Sequence, residues 1–77
     1  MNLCFEVKGG AGIVDFPFQT PTSLTHAVYN ESSNEKRLML IRAYLDERQS
    51  DDKEWVEEVF AEVKALMESP NLELTYM

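Results

Sequence analysis

Apolar and polar residues alternate at both ends of the chain and recur at helical spacing between them. Leu3, Phe5 and Val7 alternate with Cys4, Glu6 and Lys8. This period of two predicts a strand with one buried face. Gly9-Gly10-Ala11-Gly12 follows, and glycines supply the positive φ angles of a tight reversal. Val14, Phe16 and Phe18 then alternate with Asp15, Pro17 and Gln19, which predicts a second strand and closes an N-terminal β-hairpin. Pro17 cannot donate a ladder hydrogen bond, so this strand is expected at a sheet edge.

Three helices are predicted next. Thr20 as cap and Pro21 as first helical residue open one that ends near Asn30, with Leu24, Ala27 and Val28 on one face. Ser32 and Glu35 have the spacing of a capping box, so the second helix is expected from about Ser33 to Arg48. Leu38, Ile41 and Leu45 form one stripe on it, and Leu40 with Tyr44 form a second. Met39 extends the belt. A helix apolar over so much of its girth is expected to be covered on two sides, by the sheet and by another helix or a second subunit. Asp51 or Ser50 is expected to cap the third helix, which runs to about Glu68 or Ser69. Trp55, Val56, Val59, Phe60, Val63, Leu66 and Met67 recur along it at three- and four-residue steps. The short connection makes the second and third helices antiparallel neighbours. Leu72, Leu74 and Tyr76 alternate with Glu73, Thr75 and Met77, predicting a last strand placed against the hairpin. The expected fold is one α+β domain over residues 1–77, in the order β-β-α-α-α-β, with a small antiparallel sheet packed against three helices.

Size and charge narrow the function classes. A chain of 77 residues buries only about 60% of its unfolded surface, so deep catalytic clefts are hard to build from it. Fourteen Asp and Glu against seven Lys and Arg give a formal charge of -7. Direct nucleic-acid binding and attraction to an anionic membrane both require the opposite sign. Cys4 is the only cysteine, so no internal disulfide can form, and a reducing compartment is expected. The first residues lack a basic, apolar leader, and no run approaches the roughly 18 apolar residues of a membrane helix. The expected location is cytoplasmic. A short acidic chain of this kind suits a bacterial or phage accessory protein.

Candidate chemistry is sparse. The glycine loop precedes a strand rather than a helix, so a hairpin turn explains it better than a phosphate cradle. His26 has no acid–base partner near it in sequence, and Cys4 has no neighbouring base to activate it. No cofactor, metal or catalytic set is expected. Two features stand out instead. Asp46, Glu47, Asp51, Asp52, Glu54, Glu57, Glu58 and Glu62 form an acidic run. From it, Asp51, Asp52, Glu54, Glu57, Glu58 and Glu62 are taken as a face for a basic protein partner, against the alternative of a solvated face that aids solubility. Carboxylates at four-residue steps are spaced about 6 Å apart and imitate a row of phosphates. The excess apolar residues Met39, Leu40 and Tyr44 form a candidate interface for a homo-oligomer or partner. The leading expectation is a non-enzymatic interaction module, an inhibitor or adaptor docking a basic surface of a protein. Its alternatives are a structural homo-oligomer and a small ligand-binding domain.

Overall fold

A computed structural model describes residues 1–77. The elements are β1 (Leu3–Val7), β2 (Ile13–Asp15), α1 (Thr22–Asn30), α2 (Asn34–Arg48), α3 (Lys53–Glu68) and β3 (Leu72–Tyr76). The sheet is antiparallel in the order β2-β1-β3, and the fold is α+β as the pattern predicts. Phe5 lies opposite Val14 on one side and Leu74 on the other, while Leu3 lies opposite Tyr76. Directly opposed residues share a face. Leu3 and Phe5 therefore point with Val14, Leu72 and Leu74 into a core completed by Phe16, Leu24, Val28, Ile41, Leu45, Val56, Val59 and Val63. Cys4, Glu6, Ile13, Asp15, Glu73 and Thr75 occupy the other face.

The hairpin turn needs its glycines. Gly9 and Gly10 have φ of 93° and 76°, a region that side chains avoid. The turn is closed by Val7 N–H on the Gly12 carbonyl at 2.9 Å. The second strand is shorter than the alternation suggests and stops at Asp15. Phe16 and Phe18 leave the ladder to stack inward, and the Leu3 N–H that Phe16 would have met is taken by Thr20 instead. Phe5 and Phe16 stack at 5.6 Å, Phe16 meets Phe18 edge-on at 5.2 Å, and Phe18 stacks on Tyr44 at 5.8 Å.

Thr20 does not cap α1. Its hydroxyl accepts the Leu3 N–H at 3.0 Å, where a longer β2 would have placed a carbonyl. The helix instead begins after Pro21, with no side-chain cap. Ser33, not Ser32, caps α2 by accepting the Lys36 N–H, and Glu35 does not reach back. Asp52, one residue beyond the expected positions, caps α3 by accepting the Trp55 N–H at 3.0 Å. Each helix starts one or two residues beyond its expected position.

The last turn of α1 carries no basic residue. Arg37 on α2 supplies the missing donor, giving its Nε–H to the Val28 carbonyl at 3.0 Å and a terminal N–H to Tyr29 at 3.4 Å. A cation there complements the partial negative charge of a helix C-terminus. Helix α2 lies between α1 and α3, while α1 and α3 also touch β3. Ile41 and Leu45 of α2 thus join Leu3 and Phe5 of the sheet in the core, its flanks meet two helices rather than one, and its outer face is left open. No helix is long and apolar enough to cross a membrane.

Candidate protein-interaction surfaces

Helix α3 buries Val56, Val59 and Val63 and turns its opposite side outward. Glu54 and Glu58 stand on that outer side and Glu62 on its edge, all exposed. None has a Lys or Arg within ion-pair distance. The three are spaced by single turns, about 6 Å apart along the axis. The other predicted acidic residues have different surroundings. Asp51 is exposed in the turn before the helix. Asp52 is occupied as the cap. Glu57 is tied to the chain's own Arg42 at 2.5 Å, on the flank that faces α2.

Arg42 also holds Asp46, its Nε–H shared between the two carboxylate oxygens at 3.1 and 3.2 Å. Its guanidinium lies 5.2 Å over the Phe60 ring. The bonds to Glu57 and then to Asp46 push its pKa above the ordinary arginine value, so it is a fixed cation. Arg42 therefore staples α2 to α3 and removes two carboxylates from the acidic total. With fourteen Asp and Glu in the chain, twelve are left outside any ion pair.

The three apolar interface candidates on α2 do not act together. Met39 is 66% exposed and Leu40 is 36% exposed. Tyr44 lies on the other flank, half-buried, between the Phe18 ring and the Arg48 guanidinium at 5.5 Å. It belongs to the intramolecular aromatic row that begins at Phe5. Met39 instead borders an open groove of ≈ 690 Å³ between α2 and α3, floored by Leu38, Ala43, Phe60 and Met67.

The remaining reactive side chains are kept apart. His26 is exposed on α1, in the helix layer. Cys4 is on the face of the sheet turned away from the helices, between Asp15 and Thr75 in register. It is only 4% exposed, because a small side chain is shielded by its neighbours on both adjoining strands. Burial first, and then the negative charges of Asp15 and Glu6, push its thiol pKa up. That environment opposes the thiolate a nucleophile requires. No group of three His, Cys, Asp or Glu is arranged to hold a metal ion.

Sequence reasoning misses a second acidic patch. Glu6 lies directly opposite Glu73 on the outer sheet face, and Asp15 shares that face. Alternation shows that Glu6 points away from the core, but only the register brings it to Glu73. Arg42 is also missed as a clamp. Its four-residue step to Asp46 is readable in the sequence, whereas its bond to Glu57 needs the angle between two helices.

Comparison with protein-family models, with curated proteins and with solved structures returns no match.

Proposed function

We propose that this protein is a non-enzymatic interaction module whose α3 helix docks on a basic surface of a protein partner. The observation that carries the reading is the row Glu54, Glu58 and Glu62, exposed and free of any internal cation. Like charges at four-residue steps repel by a few tenths of a kcal/mol per pair. Lys53 and Lys64 on the same helix leave that repulsion uncompensated, since neither forms an ion pair. A partner bearing Lys or Arg at matching spacing offsets it on binding. The row has the spacing and charge to occupy a surface that otherwise receives phosphates, which makes an inhibitor or adaptor the specific form of the proposal. Electrostatic recognition of this kind acts mainly on association rate and specificity.

The test is affinity capture from the native host with the wild-type chain and with Glu54→Lys/Glu58→Lys/Glu62→Lys. A basic protein is expected on the wild type at low salt, lost both at high salt and on charge reversal. A partner retained equally by the reversed variant and in high salt refutes the acidic docking face.

A further inference from the structure

The outermost line of α2, opposite its buried Ile41 and Leu45, is Lys36, Leu40, Ala43 and Glu47, all exposed. The flanks of the helix meet α1 and α3, and this line stays exposed between them, with Leu40 at 36%. Steps of four, three and four residues are the seam spacing of two helices packed side by side. The centre of the line is apolar, with a small Ala43 that permits close approach. Its ends carry opposite charges. Neither end is engaged within the chain, where the ion pairs are confined to Arg42 with Asp46 and Glu57.

The line is also self-complementary. Positions 36 and 47, like 40 and 43, are equidistant from a point midway between Ile41 and Arg42. Lys36 and Glu47 lie about 8 Å on either side of it by the helix rise. A second copy turned end for end brings each Lys36 level with the other copy's Glu47, and each Leu40 level with the other's Ala43. A parallel pairing instead sets Lys36 beside Lys36 and Glu47 beside Glu47, so the charges select the antiparallel arrangement. Such a contact is isologous, the commonest form of homodimer symmetry.

We propose that a second copy of this chain covers the outer face of α2 in an antiparallel two-fold contact, closed at each end by a Lys36–Glu47 pair. Met39 borders the seam on the α3 side and adds apolar area to it. The surface is distinct from the acidic row of α3, so dimerisation leaves that row free. Two copies of charge -7 repel at long range, and this is screened at about 0.15 M salt, where the Debye length is about 8 Å. A single 15-residue helix offers less than the roughly 800 Å² per partner of a standard interface, so the dimer is expected to be weak, in the micromolar range.

Sedimentation equilibrium of the full chain at physiological salt tests the contact. The wild type is expected to self-associate. Lys36→Glu and Glu47→Lys each create two like-charge contacts per dimer and are expected to weaken association roughly tenfold. The double variant Lys36→Glu/Glu47→Lys restores the pairing and is expected to return to within about threefold of the wild type. Far-UV circular dichroism should be unchanged in all three, because both side chains are exposed. A wild type that stays monomeric up to about 1 mM overturns the proposal. So do single variants that associate as the wild type does, or a double variant as weak as the singles.

Discussion

The N-terminal strand is joined to the helix layer by a relay of buried hydroxyls, and Thr20→Val tests it. Thr25 is fully buried and Thr20 is 5% exposed. Leu3 N–H donates to Thr20 Oγ1 at 3.0 Å, the two threonine oxygens are 2.7 Å apart, and Thr25 donates to the Met1 carbonyl at 3.2 Å. Because Thr25 gives its one proton to Met1, Thr20 must be the donor between the two hydroxyls. The relay therefore runs in one direction, from Leu3 through Thr20 and Thr25 to Met1. Valine at position 20 keeps the shape and removes the acceptor from the Leu3 N–H. Leu3 is buried, so water cannot replace it. An orphaned buried donor costs about 1–3 kcal/mol. Thr25→Val leaves Thr20 still bonded to Leu3 and frees the carbonyl of exposed Met1 for water, but it orphans the buried Thr20 hydroxyl proton, so its cost is also expected at about 1–3 kcal/mol. At roughly 4–8 °C per kcal/mol for a domain of this size, Thr20→Val should lower Tm by about 8–16 °C, taking a cost of about 2 kcal/mol. Thr20→Ser, which keeps the hydroxyl, should recover most of the loss. Urea unfolding followed by the fluorescence of Trp55, the only tryptophan, gives the free energies. A Thr20→Val variant within about 0.5 kcal/mol of the wild type would refute the buried bond from Leu3 to Thr20 as a stabilising link.

Two further outcomes follow from burial. Ile41→Ala removes a fully buried side chain and should cost about 2–5 kcal/mol, whereas Leu40→Ala, one position earlier and more exposed, should cost under about 1 kcal/mol; equal costs in chemical denaturation would mean that α2 does not turn Ile41 to the core. The raised pKa of the Cys4 thiol gives a pH dependence of definite sign. Above the unfolded thiol pKa the native state binds more protons than the unfolded state, so stability falls as pH rises from there through the native value. Cys4→Ala should lose that component of the decline, and a wild-type and variant difference independent of pH between about 7 and 10 would contradict it.

How much was legible varies by element. The third helix was readable almost to the residue, because seven apolar positions at helical spacing leave one solution and the acidic cap precedes them directly. The first and last strands were equally clear from alternation. The alternation overstates the second strand by four residues, Phe16 to Gln19. Phe16 and Phe18 keep the alternation of a strand while their rings serve the aromatic row instead, and nothing in a local pattern separates the two uses. In sequence Tyr44 falls in with Met39 and Leu40 for the same reason. Its apolar character was visible, but Phe18, which covers it, lies 26 positions away in the chain. The acidic row on α3 survived folding in part. Glu54, Glu58 and Glu62 are defined by helical geometry alone, while the loss of Glu57 to Arg42 and of Asp52 to the cap depended on three-dimensional neighbours.

The sequence by itself determined the order of elements, the inward face of each and the excess of negative charge, since all three follow from local periodicity and residue counts. Tertiary structure decided which polar groups satisfy each other. Thr20 bridged a strand and a helix side chain instead of capping the helix, Glu6 came to face Glu73, and Arg42 bridged two helices. Those outcomes depend on strand register and helix packing, which bring together residues far apart in the chain, and no local pattern encodes such distances.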